Sequence, residues 1–431
     1  MKILQLCYKP PSPAVDGGCM GMNNVTQGLL KAGHEVHVLT IESDKHPVQH
    51  GMLSPDYVQR THFKSVYIDL RIHPLDAAVA LLCGDSYNVK RYESKIFRAT
   101  LINILLHNDF DIVQMESIYL TPYLATVRQY SKACAVLHAP NVEHQIWRSA
   151  ARLCRKPLKR WYLKHLALAL GAYEREMCKQ YDGLVCVTRK DADFFQQQGC
   201  KHILVKPFGI DLDDRSASIP EVNSDNGPTE QPGTTRDNSA TQYGTPSSGS
   251  RELKLYHIGS MDWDANVQSI QWFLKEVWSK VRKTVPQAHL YLAGRKMPQQ
   301  LMEAHIDGVT VVGEVADADE FIADKQINVV PLLFGSGIRV KIIESMAMGK
   351  AIISTHIGAD GIDYSDGDNI LIADTADDFV RQIQRIAQDP DLLRQLSLNA
   401  RQLAETRHNN SVLTQQLLAF YGTLHPKTAK P

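Results

Sequence analysis

The fold of this chain is decided in the stretch Phe334-Gly335-Ser336-Gly337-Ile338-Arg339-Val340-Lys341-Ile342-Ile343-Glu344-Ser345-Met346-Ala347-Met348-Gly349-Lys350. It follows the apolar run Ile327 to Leu333, which has the pattern of a buried strand. The glycines on either side of Ser336 let the chain turn tightly, and the helix that follows begins with amide groups available to an anion. A buried strand, a glycine loop and a helix start in this order predict an α/β domain with an anion-binding loop.

Three charged residues near the helix start indicate what this loop binds. Arg339 and Lys341 add two positive charges, and Glu344 lies where its carboxylate can accept hydrogen bonds from a ribose. A nucleoside diphosphate would satisfy all of these groups. The alternative is a solvated charge cluster on an ordinary strand-to-helix turn. We favour the ligand site because the groups coincide after the carboxyl end of a buried strand, where open α/β sheets bind ligands.

The length of 431 residues exceeds what one core usually supports, so we expect two domains. Strand-like runs alternate with helical patterns in both halves, which predicts an α/β fold with two facing Rossmann-like domains, parallel sheets and a cleft between them. The domains are expected at 1–210 and 254–407. Residues 211–253 are expected to be a linker with a disordered low-complexity insertion, because 214–252 contain almost no apolar residues. A helix in 408–431 is expected to cross back to the first domain.

The apolar periodicity predicts elements along both halves. In the first half, strands are predicted at 3–7, 35–40, 65–69, 111–115, 133–138, 183–187 and 202–206, and helices within 20–32, 73–107, 118–128, 142–180 and 190–198. In the second half, strands are predicted at 254–259, 288–293, 309–312, 327–333, 351–354 and 369–372, and helices within 265–283, 298–304, 317–323, 338–348, 375–405 and 411–424.

Cysteine and aspartate patterns argue against disulfides and metals. All eight cysteines lie in the first half without a C-x-x-C pair, as expected for buried thiols in a reducing compartment. Seven D-x-D triplets occur, but most fall at expected strand starts, caps or turns, and the histidines show no metal-ligand spacing. We therefore predict no metal and no cofactor. Without a visible signal peptide or membrane-length apolar run, the protein is expected to be cytoplasmic.

Two loops after strands of the first half contain further candidates. The loop Pro10 to Gly18 is too long for a G-x-G-x-x-G fingerprint, which makes a nicotinamide dehydrogenase improbable. The loop His138 to His144 clusters polar side chains at a strand end, which suits a sugar or acceptor site formed by His138, Asn141 and Glu143. The alternative is that Asn141 and Glu143 cap the next helix.

A basic segment runs from Trp147 to Lys164, with three aromatic residues and no acidic one. Its seven cations are Arg148, Arg152, Arg155, Lys156, Lys159, Arg160 and Lys164. An amphipathic basic segment with Trp and Tyr fits an anionic membrane surface, and we expect peripheral binding at the inner face of the plasma membrane. No nucleic-acid motif accompanies the charge, so nucleic acid is not an expected partner. A solvated helix face is the alternative.

With these motifs in view, the chain resembles the GT-B glycosyltransferases, and specifically the retaining group called glycosyltransferase family 4. The resemblance covers nearly the whole chain outside 214–252. It is carried by four stretches: Asp16-Gly17-Gly18 through Gly33-His34-Glu35-Val36, Lys206-Pro207-Phe208-Gly209-Ile210-Asp211, Gly335 to Gly349, and Thr355-His356-Ile357-Gly358-Ala359-Asp360-Gly361.

The resemblance implies roles for particular residues. Glu344 matches the second glutamate of the E-x7-E motif, which contacts the donor ribose, whereas the first glutamate falls at Ser336. The loop Gly259 to Asn266 lacks the usual phosphate-binding cations, so Arg339 and Lys341 take over the diphosphate. The implied donor-binding residues are Gly17, Gly18, Gly335, Ser336, Gly337, Ile338 and Glu344. His138 is the nearest match to the family histidine, although the alignment also allows His144, and the implied catalytic residues are Arg339, Lys341 and His138.

The implied activity is a retaining transfer of sugar from a nucleotide diphosphate sugar to a hydroxyl of a lipid-linked or glycan acceptor, in cell-envelope polysaccharide or lipopolysaccharide assembly. Two alternatives stay open. One is another GT-B enzyme, such as a sugar-nucleotide 2-epimerase. The other is a catalytically silent paralogue that only binds a sugar nucleotide, because Ser336 replaces an acid.

Overall fold

The structure is a computed structural model that describes residues 1–73, 86–212, 252–335 and 337–425. The described residues form two compact units. The first contains those of Met1–Asp214, Ser336–Val340 and Glu405–Pro431, and the second contains those of Arg215–Gly335 and Lys341–Ala404. Ser336, the expected insertion and part of the helical region predicted over 73–107 lie outside the described residues.

The first unit is built on a parallel sheet of seven strands, ordered β3-β2-β1-β4-β5-β6-β7. The strands are β1 (Lys2–Cys7), β2 (Glu35–Glu42), β3 (Lys64–Tyr67), β4 (Ile112–Met115), β5 (Cys134–Ala139), β6 (Gly183–Cys186) and β7 (Ile203–Val205). Its central strands are buried along their length, as expected where helices cover both faces of a parallel sheet.

Helices connect these strands. They are α1 (Gly17–Lys31), α2 (Pro55–Arg60), α3 (Tyr87–Lys90), α4 (Lys95–Leu106), α5 (Leu124–Tyr130), α6 (Glu143–Leu153), α7 (Pro157–Met177) and α8 (Arg189–Gln197), with 3-10 turns at His50–Met52, Ile118–Tyr123 and Cys178–Gln180. The order of strands and helices is that of a Rossmann-like domain, as the alternation predicted.

The second unit repeats this plan with six parallel strands, ordered β10-β9-β8-β11-β12-β13. The strands are β8 (Leu253–Ile258), β9 (Ala288–Ala293), β10 (Val309–Gly313), β11 (Ile327–Val330), β12 (Ala351–Ser354) and β13 (Leu371–Ile372). The helices are α9 (Asp264–Trp272), a π-helical turn (Phe273–Trp278), α10 (Ser279–Thr284), α11 (Gln299–Met302), α12 (Ala318–Ala323), α13 (Val340–Ala347), α14 (Ala376–Gln388) and α15 (Pro390–Arg407).

The predicted element types are confirmed in most places, while several boundaries are wrong. The strand predicted over 327–333 ends at Val330, and the helix predicted from residue 338 begins at Val340. Helix α1 begins three residues before the predicted start at 20, because Asp16 caps it by accepting from the Cys19 amide. The region 118–128 opens as a 3-10 turn, and Pro157 begins a second helix inside 142–180.

Helix α16 (Asn410–Gly422) belongs to the first unit and packs against α1. Leu417, Tyr421 and Leu424 belong to a core cluster with residues of α1 and of strands β1 and β2. Tyr421 Oη also donates a hydrogen bond to Gln114 Oε1 on the buried strand β4. Helix α16 and Leu424 therefore contribute apolar and polar contacts to the interior of the first unit.

Candidate functional site

Each sheet has one point where the chain reverses its direction of strand addition. In the first sheet this point lies between β1 and β4, and in the second between β8 and β11. Open α/β sheets bind ligands outside the carboxyl ends of strands at such points. The loops that leave this point in the second sheet are the one after β8 and the glycine loop after β11, which the sequence singled out.

Lys341, on the first turn of α13, is held at this point by two side chains. Its Nζ donates to Asn266 Oδ1 at 3.0 Å and lies 3.2 Å from His257 Nε2. Asn266 in turn donates to the carbonyl of Ser260, in the loop after β8, at 2.8 Å. The ammonium group is therefore fixed beside the loop that lacks its own cations.

His257 accepts a hydrogen bond from the Lys341 ammonium group and does not repel it. It is fully buried on β8, and its Nδ1 donates to the carbonyl of Val329 at 2.8 Å. Burial, and secondly the charge of Lys341, hold the pKa of His257 well below its usual value, so the ring is neutral and Nε2 is an acceptor. A neutral histidine orients the cation without adding charge.

A buried hydroxyl anchors the helix that carries Lys341 and Glu344. Ser345 Oγ accepts from Tyr256 Oη and from Asn328 Nδ2, both at 2.7 Å, and donates to the Lys341 carbonyl at 2.7 Å. Because Tyr256 and Asn328 lie on neighbouring strands, these bonds fix α13 against the sheet. The position of the helix start is thus set by the sheet itself.

The glycine loop has the backbone that its sequence predicts. Gly335 and Gly337 have φ angles of 133° and 90°, which residues with a Cβ rarely adopt. Arg339 follows the loop and is only 8% exposed, while Ile338 and Glu344 are partly buried. The alternative interpretation, a solvated charge cluster, does not fit these residues, because Arg339 is buried and Lys341 is held by two side chains.

In the first unit, His138 is part of a buried polar network at the carboxyl end of β5. Its Nδ1 lies 2.5 Å from Glu116 Oε2, and a carboxylate can only accept, so Nδ1 carries the proton. Glu116 Oε1 also accepts from Gln5 Nε2 at 2.6 Å and Gln114 Nε2 at 2.5 Å. These bonds fix the ring and its tautomer, which leaves Nε2 as the nitrogen for a ligand.

The loop before Gly17 and Gly18 holds an ion pair in which Lys9 is buried and Asp16 is partly exposed. Lys9 Nζ donates to both carboxylate oxygens of Asp16 at 2.7 Å. Although burial opposes ionisation, the bonds and charge of Lys9 lower the pKa of Asp16 to about 2. A Cβ at Gly18 would lie 2.9 Å from Lys9 Nζ, so a side chain there would displace the cation.

Asn141 and Glu143 do not cap α6, contrary to the alternative weighed from the sequence, because the N-cap residue is Val142. The first-turn amide of Glu143 instead donates to Glu174 Oε1 of α7 at 3.0 Å. The Glu143 carboxylate accepts from Tyr119 Oη at 2.9 Å. Burial raises the pKa of Glu143 to about 7, and the charge of Glu174 adds to this rise.

The basic segment is a surface feature. All seven of its cations are exposed, and so are Leu158, Trp161 and Leu168 on α7. Lysine and arginine around the start of α7, where the first turn contains no acid, oppose the helix dipole and do not stabilise the helix. Among the described residues, no helix combines the length and apolar character that crossing a bilayer requires.

Sequence reasoning missed four residues that shape these sites: Lys9, Glu116, His257 and Glu174. His257 interrupts the apolar run of β8, and Glu116 directly follows the apolar run of β4. A polar residue within or at the end of a buried strand is a signal that could have found both. Lys9 and Glu174 gave no such signal, because Lys9 pairs with Asp16 across an irregular loop and Glu174 bonds to the start of another helix.

Comparison with known proteins places the fold of this chain in a class. HepE from Anabaena, solved in complex with UDP and glucose, shares the fold with a TM-score of 0.60 at 12% identity, covering 98% of this chain and 100% of that one. WaaG, a glycosyltransferase involved in lipopolysaccharide biosynthesis, gives a TM-score of 0.59 at 16% identity, covering 97% and 100%. The fold is that of the GT-B glycosyltransferases, and the predicted fold class is confirmed.

Two family profiles match most of the chain. The profile described as Glycosyltransferase Family 4 matches residues 16–214, and the one described as Glycosyl transferases group 1 matches residues 252–389. This chain belongs to the glycosyltransferases of these families, as its motifs indicated. A 44.6 kDa uncharacterized protein of the cps region of Klebsiella pneumoniae is 21% identical over 412 residues, covering 93% of this chain and 94% of the relative.

Proposed function

We propose that the protein is a retaining glycosyltransferase that moves a sugar from a nucleotide diphosphate sugar to a hydroxyl acceptor in cell-envelope polysaccharide or lipopolysaccharide assembly. The observation that carries the proposal is that Asn266 and a neutral His257 hold Lys341 in place. Lys341 lies at the point where the second sheet reverses its direction of strand addition. Two similar proteins support the proposed donor and the proposed role in the cell envelope, because HepE was solved with UDP and glucose and WaaG is involved in lipopolysaccharide biosynthesis.

The glycine loop and helix α13 are assigned to the donor. When the glycosyl bond breaks, negative charge grows on the departing β-phosphate, and the charges of Arg339 and Lys341 stabilise it together with the first-turn amides of α13. The positive-φ backbone at Gly335 and Gly337 lets the chain approach the phosphates closely. Glu344 is assigned to the ribose hydroxyls, and no step needs a metal.

The first unit is assigned to the sugar and the acceptor. His138 would contact a sugar hydroxyl through Nε2, because Glu116 holds its other nitrogen. Asn141 and Glu143 are assigned to the same side, and Gly17 and Gly18 to the donor diphosphate by their match to the family loop. Retention of configuration is proposed from the family, by attack on the face from which the nucleotide leaves.

The donor assignment is tested with Lys341→Met and Glu344→Gln. A hydrogen bond to a charged group is worth about 1.5–3 kcal/mol, so each change should weaken binding of the cognate nucleotide sugar roughly 10–100-fold. A thermal-shift panel of nucleotide sugars identifies the ligand, since a ligand at a hundred times its Kd adds about 2.7 kcal/mol. Transfer is then measured with membrane glycolipid extracts as acceptor.

Lys283→Met is the matched control, because Lys283 is an exposed lysine on α10 of the same unit. It should bind and transfer as the wild type does. Unchanged binding in both site variants would refute the site assignment. An epimerised nucleotide sugar formed without any acceptor would exclude the transferase in favour of the epimerase, and binding without any turnover would support the silent paralogue.

We also propose that the protein works from the cytoplasm, peripherally bound to the inner face of the plasma membrane through the basic segment 147–164. The exposed cations and the exposed Leu158, Trp161 and Leu168 support this, because an apolar face ringed by cations fits a boundary of anionic headgroups and acyl chains. Such binding would bring the enzyme to a lipid-linked acceptor.

A further inference from the structure

Three potential metal ligands meet near the amino ends of the strands of the first sheet. Glu35 and His37 lie two residues apart on β2, so their side chains share one face of the strand. His62 joins them from the turn between α2 and β3. One ligand atom from each residue lies within 4.8 Å of the others, although no spacing pattern in the sequence links the three residues.

The contacts within this Glu35–His37–His62 cluster are specific. His37 Nε2 lies 2.9 Å from Glu35 Oε1. The rings of His37 and His62 stack with their centroids 4.1 Å apart and their planes at 17°. His37 is buried, whereas Glu35 and His62 are exposed, so two of the three side chains can adjust around a buried one.

The backbone at His62 is unusual. Its φ angle of 45° lies in the left-handed region, which residues other than glycine rarely adopt. Such strain persists only where the surrounding structure imposes it, and it is concentrated at functional positions. Here the strained turn after Thr61 is what places the His62 ring on His37.

The cluster lines a pocket of about 520 Å³, and His107 lies on the wall of the same pocket. His107, on the wall of this pocket, has its Nδ1 2.8 Å from the carbonyl of Asn103, an acceptor, so its Nε2 is available to a metal. A ring N–H that donates to a backbone carbonyl is the support that metal-binding histidines usually have. Lys2 and Lys64 also line the pocket, and Lys2 pairs with Glu35 at 2.8 Å.

The pocket is separate from the candidate catalytic residues of the first unit. Lys2 and Glu35 begin β1 and β2 and are paired in register, whereas His138 lies near the carboxyl end of β5 and the Lys9–Asp16 pair follows the carboxyl end of β1. Parallel strands place these ends at opposite edges of the sheet. A ligand at the cluster would therefore act on the fold of the first unit and not on the sugar transfer.

We propose that Glu35, His37 and His62 bind a divalent transition-metal ion such as Zn²⁺, with His107 as a fourth ligand. Two imidazoles and a carboxylate are the ligands that such an ion accepts at about 2.0–2.2 Å. Because the ion binds in the plane of each ring, the exposed His62 ring turns out of the stack and Lys2 releases Glu35. The ion then ties β2 to the turn that precedes β3.

The test uses the full-length protein without a histidine tag, stripped with chelator and titrated with Zn²⁺ by calorimetry and with Co²⁺ by its visible absorption. The wild type should bind one ion, and the ion should raise its thermal unfolding midpoint. His37→Ala with His62→Ala should weaken binding at least about 100-fold, because two ligands are lost. His107→Ala should weaken it by a smaller factor.

The control is the double variant His50→Ala with His305→Ala, which removes two exposed histidines outside the cluster and should bind as the wild type does. Circular dichroism and nucleotide-sugar binding verify that each variant is folded. Equal metal binding in the wild type and in the His37 and His62 double variant would overturn the proposal. If inorganic phosphate stabilised the wild type and Zn²⁺ did not, and the double variant lost that stabilisation, the cluster would be an anion site. That result would overturn the proposal.

Discussion

At the scale of single residues, the two units hold a candidate functional side chain in the same way. A buried polar residue near the carboxyl end of a central strand fixes a neighbour: Glu116 orients His138, and His257 orients Lys341. Burial makes an unpaired polar group unfavourable, so each partner is fixed in one arrangement. The candidate functional side chains are positioned by the sheet rather than by their own loops.

Glu143 predicts a stability change with pH. Its pKa is raised from 4.5 to about 7 by burial, so the folded protein holds this proton more tightly than the unfolded chain does. The stabilisation is fully present below about pH 4.5 and is lost as the pH rises through about 7, by up to about 3 kcal/mol. Glu143→Gln keeps an acceptor for Tyr119 and should be more stable than the wild type at pH 8.

Urea unfolding of both proteins at pH 5, 6.5 and 8, followed by tryptophan fluorescence, measures this difference. The advantage of Glu143→Gln should grow with pH. Glu176→Gln is the control, because Glu176 is an exposed glutamate on α7, and it should follow the wild type at every pH. A constant difference between Glu143→Gln and the wild type across this range would show that Glu143 does not titrate in the folded protein.

At the scale of elements, helices α1 and α16 pack closely together at a glycine of α1. A Cβ at Gly28 would overlap Thr414 Oγ1 and lie 3.2 Å from Asn410 Nδ2. Asn410 Nδ2 donates to the carbonyl of Asn24 at 2.8 Å, which places α16 directly against α1. The close approach of the two helices therefore depends on the missing side chain.

Gly28→Ala should destabilise the protein by about 1–3 kcal/mol, as overpacking of a close contact does. The sign of this stability change is informative, because alanine in a helix interior is otherwise favoured over glycine by roughly 0.5–1 kcal/mol. Gly21→Ala in the same helix is the matched control, since its Cβ would lie 3.6 Å from Phe208 Cε2, an ordinary contact. Thermal unfolding measures both, and adding Thr414→Ala to Gly28→Ala should recover part of the loss. A stabilised Gly28→Ala would contradict the close packing of α16.

At the scale of the whole molecule, the zero net charge hides an uneven distribution. Residues 1–210 carry 26 Lys+Arg against 18 Asp+Glu, a formal charge of +8, and the remaining residues carry −8. Seven of the 26 cations lie between Trp147 and Lys164. An anionic surface would attract the first half of the chain and repel the second, which favours one orientation at a membrane.

Replacing Arg155, Lys156, Lys159 and Arg160 with Gln should weaken binding to vesicles that contain anionic lipid. Each cation near such a surface is worth about 1 kcal/mol, so binding should fall by at least about 100-fold. Co-sedimentation at low and high salt measures it, and the wild type should also lose binding as salt rises.

The matched control for this experiment replaces four exposed lysines of the first unit, Lys45, Lys95, Lys132 and Lys201, with Gln. It removes the same charge elsewhere and should retain most of the binding. An equal loss in both variants would mean that net charge matters and the basic segment does not.

Much of the fold and part of the candidate site could be predicted from the amino-acid sequence. The alternation of apolar runs with helical patterns predicted two Rossmann-like units, and the glycine loop before Lys341 was found from residue order alone. The end of β11 and the two helices within 142–180 were predicted less well. Apolar residues continue past Val330, and the boundary between the two helices is marked in the sequence only by Pro157, which begins the second helix. Element ends depend on local caps and on neighbouring strands.

The sequence by itself determined the fold class, the family, the glycine loop and the basic segment, because these depend on residues that are close together along the chain. Only the tertiary structure decided that His257 and Asn266 hold Lys341, that Glu116 holds His138, and that Glu35 and His37 meet His62. The physical reason is strand order. β1 lies between β2 and β4, and β8 lies between β9 and β11, so the packing of the sheets chooses which distant side chains become neighbours.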